Sequence, residues 1–306
     1  MNVGLIGTGI MGASIGRHLI DAGHKLQINN RTKGKAEPLL NAGASWANSI
    51  DEIAEHSEVI LTMVGYPDDV RDIYYGTSST NNTFSSGLLT ILKPGQIIID
   101  LTTSEPNLAQ TIYQHAKGKS AHSLDAPVSG GDAGAKAGTL TVMAGGDETV
   151  FRDIKPVLEC FGKKIRYCGE AGKGQSTKLA NQILNTGNML GMVEALLYAR
   201  KANLDMKDTI EIIGSGAAAS WAINNLGPRI LQNNFEPGFL IEHFVKDMQI
   251  ALDEASRLNL QLPGLTLIKK FYDLAMQKNL GKKGTHALFL VLDELSQGKN
   301  DSEIFY

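Results

Sequence analysis

Only two cysteines, Cys160 and Cys168, occur in 306 residues. So few argue against a disulfide framework, and their eight-residue spacing matches no zinc motif. The seven histidines form no H-x-H or H-x-x-x-H pair, so no metal site is expected. No Ser–His–Asp constellation is supported by spacing either. Charge of one sign is also missing: 29 Lys and Arg stand against 32 Asp and Glu, a formal net charge of −3. Such a chain has no bulk attraction to nucleic acid or to acidic membrane surfaces. No apolar run approaches the roughly 20 residues of a membrane span. The start, "MNVGLIG", lacks the charged and apolar regions of a signal peptide. These absences lead to the expectation of a reduced, cytoplasmic protein with no nucleic-acid or membrane partner.

What is present is glycine and alternation. Thirty-three glycines exceed average usage of roughly 7% and carry no collagen period. Length alone suggests two domains. In the first half, short apolar runs ("NVGLIG", "HKLQIN", "SEVILTMV", "GQIIIDL") alternate with amphipathic stretches at 10–22, 33–41, 67–74 and 106–117. Near-continuous apolar strands alternating with helices predict an α/β fold with a doubly wound parallel sheet. "SAHSLDAPV", "GTLTVMAGG" and "KKIRYCG" are expected to continue that sheet to about Cys168. Beyond Gly169 strand signals stop, and helices are expected over 174–202, 206–214, 220–231, 240–258, 262–279 and 285–297. The reading is a Rossmann-type dinucleotide-binding domain at 1–167 and an all-α substrate and oligomerisation domain at 168–306, joined by a long interdomain helix. "GTSSTNNTFSSG" (Gly76–Gly87) reads as an exposed, mobile polar loop.

Gly7-Thr8-Gly9-Ile10-Met11-Gly12 has G-x-G-x-x-G spacing, follows a strand and opens a helix. Gly7 permits the tight turn, Gly9 lets backbone approach a pyrophosphate, and Gly12 lets helix and strand pack closely. At the end of the second strand, where an acid would bind a ribose 2′-hydroxyl, stand Asn30, Arg31 and Thr32. An amide, a guanidinium and a hydroxyl can hold a 2′-phosphate, so NADP(H) is preferred, with NAD(H) possible. Thr102, Thr103 and Ser104 fall where strand ends meet a ligand crevice, although helix capping would also explain them. Ser129-Gly130-Gly131 exposes a hydroxyl and unhindered amides suited to a carboxylate, with an ordinary glycine loop as the alternative.

In "KGQSTKLANQILN", Lys178, Asn181, Gln182 and Asn185 share one face of an otherwise apolar helix. A structural polar network would account for the spacing as well as a site would. His243, Lys246 and Asp247 share a face of "HFVKDMQIALDEA", ordinarily a solvated one.

Taken in order, "GLIGTGIMG", "NRT", "DAPVSGG…GTLTVMAGG", "GKGQSTKLANQ" and "HFVKDMQIALDEA" resemble the β-hydroxyacid dehydrogenase family over nearly the whole chain. That family includes 3-hydroxyisobutyrate dehydrogenases and tartronate semialdehyde (2-hydroxy-3-oxopropionate) reductases; "KLANQ" and "NFEPGFLIEHFVKD" look nearest to the latter. The resemblance implies an NAD(P)-dependent oxidoreductase acting on a small semialdehyde or hydroxy acid, with Lys178 in G-x-G-x-x-x-K as the catalytic residue. It further implies Met63, Thr103 and Lys246 as cofactor contacts, and Ser129, Gly130, Gly131, Asn181 and Gln182 as substrate contacts. It leaves Asn185 unassigned and implies a homodimer or homotetramer. The Gly76–Gly87 loop is longer and more polar than the family leads one to expect. An imine reductase of the same fold would generally lack lysine at position 178. A non-catalytic dinucleotide-binding protein would not need the lysine, the amides and the Ser-Gly-Gly loop together.

Overall fold

The computed structural model describes residues 1–76 and 87–298. The polar stretch between Gly76 and Gly87 lies outside the described residues. The chain divides into two compact units, Met1–Lys178 and the remainder from Leu179. The first unit begins with β1 (Asn2–Ile6), α1 (Ile10–Asp21), β2 (Lys25–Asn29), α2 (Glu37–Asn41), β3 (Ser45–Trp46), α3 (Ile50–His56) and β4 (Val59–Thr62). It continues through α4 (Pro67–Tyr75), α5 (Leu88–Ile91), β5 (Ile97–Asp100), α6 (Pro106–Gly118) and β6 (His122–Asp125). It closes with β7 (Val128–Ser129), α7 (Gly131–Lys136), β8 (Leu140–Gly146), α8 (Glu148–Glu159) and β9 (Gly162–Gly169).

The sheet order begins β3-β2-β1-β4-β5-β6, and these strands are all parallel. The order reverses between β1 and β4, the switch point beside which dinucleotides bind in such sheets. Alternate strand residues enter opposite cores: Leu5, Leu61 and Ile99 on one face, and Ile6, Ile60 and Ile98 on the other. Burial on both faces explains the near-continuous apolar runs. Past β6 the sheet departs from a purely parallel one. β8 runs antiparallel to β6 and β7, and β9 runs parallel to β8. The reason is local: the glycine turn after Ser129 reverses the chain before β8.

Long helix α9 (Lys173–Lys201) carries the chain from the first unit into the second. The second unit adds α10 (Met206–Ser215), α11 (Trp221–Asn225), α12 (Gly227–Leu231), α13 (Ile241–Arg257), α14 (Pro263–Gln277) and α15 (Leu288–Ser296). Its core gathers Leu179, Val193, Leu196, Phe244, Met248 and Tyr272. The single helix expected over 220–231 is two, α11 and α12. Pro228 has no N–H to donate and its ring crowds the preceding turn, so the helix stops and restarts. No helix among the described residues is long and apolar enough to cross a membrane.

Candidate active site

The parallel register aligns the last residues of five strands: Asn29, Ile6, Thr62, Asp100 and Asp125. The candidate residues of the first unit follow directly after this row. Gly7 adopts φ +97, and a Cβ there would lie 2.3 Å from the Met63 carbonyl oxygen. A Cβ on Gly12 would lie 2.0 Å from the Gly7 carbonyl oxygen. Both glycines are therefore demanded by packing at the switch point. Gly9 differs: a Cβ there would meet nothing within 4 Å. Nothing in the protein's own packing requires glycine at that position, which leaves the backbone there open to approach from outside.

The first turn of α1 receives no side-chain cap and contains no acid. The Thr8 hydroxyl beside it is buried and finds no hydrogen-bond partner among the described residues. An uncapped helix start with an orphaned hydroxyl fits a phosphate-bearing ligand. Asn30 is committed to the loop, since it accepts from the Thr8 amide at 3.1 Å and donates to the Thr32 carbonyl at 2.8 Å. It thereby ties the end of β2 to the glycine loop. The Arg31 guanidinium is 91% exposed, with only a 3.5 Å ion pair to Asp69. Thr32 precedes a short 3-10 turn.

Thr102, Thr103 and Ser104 do not cap α6, whose N-cap is Glu105 with no side-chain bond. Thr102 instead accepts from the Val64 amide at 3.1 Å. Asp100 accepts from the Thr62 hydroxyl at 2.9 Å and from the Thr102 amide at 3.0 Å. Buried Tyr74 sits 3.1 Å from the Thr62 hydroxyl. Burial first, and then the Asp100 charge, raise the Tyr74 phenol well above its ordinary value, so it stays a neutral donor.

Lys178 sits in the second turn of α9 and is itself buried. The glycines of its motif have structural reasons. Gly172 adopts φ +87, and a Cβ on Gly174 would lie 2.4 Å from the carbonyl oxygens of both Asp125 and Met143. Asp125, at the end of β6, accepts from the amides of Gly172 at 2.7 Å and Gln175 at 2.8 Å. Burial pushes its carboxyl up, to about 7, against those two hydrogen bonds, and Asp100 adds to the rise.

Ser129 ends β7, and Gly130 and Gly131 follow at φ +137 and +61, which glycine adopts without strain. No side chain caps the start of α7. Its other end is held by α1, whose His18 Nε2 lies 2.9 Å from the Ala135 carbonyl. The glycine-fingerprint helix and the Ser-Gly-Gly segment are therefore fixed to one another within this unit.

Asn181, Gln182 and Lys246 belong to the second unit. There Asn181 Nδ2 donates to Gln182 Oε1 at 2.8 Å, and Gln182 Nε2 donates to Asp247 at 2.6 Å. The other Asp247 oxygen lies 2.9 Å from the Lys246 ammonium. Gln182 and Asp247 are 2% and 1% exposed. The α13 face read as solvated is thus a buried polar network. Burial, followed by the Lys246 charge, lowers the His243 pKa. Asn185 is half-buried. Asp100, Asp125 and Gln175 were not singled out by sequence patterns, and Asp247 was singled out only as part of a wet face. Their polar type at buried strand ends and helix starts is the one signal that marks them.

Comparison with known proteins is consistent along the chain. Residues 2–169 match the family described as the NAD-binding domain of 6-phosphogluconate dehydrogenase. Residues 172–292 match that described as NAD-binding of NADP-dependent 3-hydroxyisobutyrate dehydrogenase. A probable 3-hydroxyisobutyrate dehydrogenase-like 1 of Arabidopsis thaliana is 47% identical over 96% of this chain and 86% of its own. The 2-hydroxy-3-oxopropionate reductase of Escherichia coli is 33% identical over 98% of this chain and 99% of its own. Among solved structures, a Mycobacterium tuberculosis 3-hydroxyisobutyrate dehydrogenase with L-serine superposes with a TM-score of 0.84 at 27% identity, covering 95% and 99% of the two chains.

Proposed function

Because this chain belongs to the β-hydroxyacid dehydrogenase family, we propose that it reduces a small carboxylic semialdehyde to a hydroxy acid, or runs the reverse, with NADPH preferred over NADH. The observation that carries the reading is Lys178, buried on α9 just past a glycine-pinned first turn. When bound, the nicotinamide cofactor supplies or accepts the hydride. The Lys178 ammonium hydrogen-bonds the carbonyl oxygen, stabilises developing alkoxide charge and then gives up its proton. In the oxidative direction the neutral amine takes the hydroxyl proton. Ser129 and the amides of Gly130 and Gly131 hold the substrate carboxylate. Asn181 offers its amide to the substrate. Gln182, bonded to Asn181 and Asp247, steadies Asn181 and is a further substrate contact. Lys246, steadied by Asp247, is the cofactor contact contributed by the second unit.

Thr8 and the α1 start fit the pyrophosphate common to both cofactors, and the exposed Arg31 beside Thr32, with no acid at the end of β2, favours a 2′-phosphate. Small size and a carboxylate fit the serine named with the mycobacterial relative and the substrates named for the other two. A lysine at position 178 speaks against imine reduction. We further propose a homodimer or homotetramer in the cytoplasm. Leu184 and Tyr198, 66% and 72% exposed on α9, offer apolar surface to a second copy, and both cysteines are free thiols.

The test is kcat/KM with NADPH and NADH against tartronate semialdehyde, methylmalonate semialdehyde, succinic semialdehyde and glyoxylate. At least one is expected to turn over, faster with NADPH. Lys178→Ala should lower kcat by about 10²–10⁴-fold, the usual range for losing a general acid. Absence of turnover with every C3–C4 semialdehyde would end this reading.

A further inference from the structure

The first turn of α9 is held from outside by two side chains. Asp125 places one carboxylate oxygen on the Gly172 amide at 2.7 Å and the other on the Gln175 amide at 2.8 Å. Gln175, fully buried, points its carboxamide the other way. Its Nε2 donates to the Thr102 carbonyl at 2.7 Å, and its Oε1 accepts from the Ser104 amide at 2.9 Å. These two backbone groups flank Thr103. One side chain therefore ties the Thr103 segment to the turn before Lys178, and one carboxylate ties that turn to the end of β6. The turn has little slack, because Gly172 holds φ +87 and a Cβ on Gly174 would lie 2.4 Å from two carbonyl oxygens. Lys178 follows Gln175 by less than one helical turn, so a shift of the turn is carried to its side chain.

We propose that Asp125 and Gln175 are positioning residues that set the Lys178 ammonium in register with the Thr103 segment. This rests on the reading of Lys178 as proton donor and Thr103 as cofactor contact. Simple helix capping is the competing explanation. Capping requires Asp125 alone and gives no reason for the Gln175 carboxamide to bracket Thr103. The clamp requires both Asp125 oxygens as acceptors, hence the carboxylate. Asp100 on β5 is the charged group that acts on Asp125, and it is itself bonded to Thr62 and Thr102.

Gln175→Met removes both carboxamide bonds at similar volume. Asp125→Asn keeps one acceptor and turns the other into a donor that faces an N–H. Displacing a catalytic group by about 1 Å costs on the order of 10²-fold. Each variant is therefore expected to lose about 10- to 100-fold in kcat, with KM and the NADPH Kd within about threefold of wild type. The wild-type kcat profile should show an acid limb near pH 7 that Asp125→Asn lacks. A Gln175→Met enzyme that binds NADPH and keeps kcat within about twofold overturns the proposal. Gln175→Asn, one methylene shorter, serves if Gln175→Met does not fold. If wild type turns over no semialdehyde, the functional reading fails separately. The clamp is then judged from the Lys178 13Cε resonance in NADP+-loaded protein. A shift in the Gln175 variant supports it, and an unchanged resonance overturns it.

Discussion

Three glycines of one fingerprint answer to two different demands. Gly7 and Gly12 leave no room for a methyl group, since its nearest neighbours would be backbone oxygens at 2.3 and 2.0 Å. Gly9 leaves room for one. Gly12→Ala should therefore shift β1 against α1 and lower the melting temperature, while Gly9→Ala should melt like wild type without ligand. NADPH should raise the melting temperature of wild type and fail to raise that of Gly9→Ala. Thermal scans with and without cofactor check both expectations. The G-x-G-x-x-G signature was legible because its three glycines stand within six residues of chain between a strand and a helix, although the Gly7 contact reaches Met63. Asp125 was not. It lies inside "DAPVSGG", where the serine and glycines draw notice, and its partner amides are 47 and 50 residues further along. A bond over that distance leaves no periodic trace. Gln182 is implied as a substrate contact by the family resemblance; what no pattern conveyed is its bond to Asp247, 65 residues away.

At the scale of elements, the strand ends of the parallel sheet put Asp100 and Asp125 side by side in a buried row. Burying a carboxyl there, with a second one beside it, has a consequence for stability. The Asp125 pKa rises from 3.8 to about 7 on folding, so the native state binds more protons than the unfolded one between those limits. Its contribution to stability is fully present below about pH 4 and is lost as pH rises through 7. The swing is on the order of 4 kcal/mol. The stability difference between wild type and Asp125→Asn, measured by urea unfolding, should thus favour wild type more at pH 5 than at pH 8. Activity is expected to run the other way, because the clamp uses the carboxylate. Helices α1, α9, α13 and α14 were legible to within two residues because each keeps an apolar stripe and ends on clear signals. The two-residue strands β3 and β7 were not, as two residues cannot show a period. α11 and α12 were read as one helix because apolar spacing runs through the break at Gly227 and Pro228.

For the whole molecule, the domain pattern was legible in the change from strand to helix signals near Gly169. Two separately cored units follow from it: the first has a buried cluster on each face of its sheet, and the second has one of its own. The long helix expected to join them is α9; what the pattern did not convey is where along it the chain passes from one unit to the other. It does so inside α9, between Lys178 and Leu179, with helix on both sides. A loop at such a crossing would absorb added residues; a helix cannot. Each inserted residue turns everything beyond it by about 100° and advances it by about 1.5 Å. One alanine inserted after Leu179 should leave each core able to form, yet rotate Asn181 off the Lys178 face and abolish turnover. Substitutions at the exposed positions Thr177 and Ala180 should leave turnover near wild type, which steady-state assays of the three variants would show. The crossing thus works as a phase marker: it tolerates changes of residue but not of count, and relatives that keep this activity should differ in length elsewhere than here.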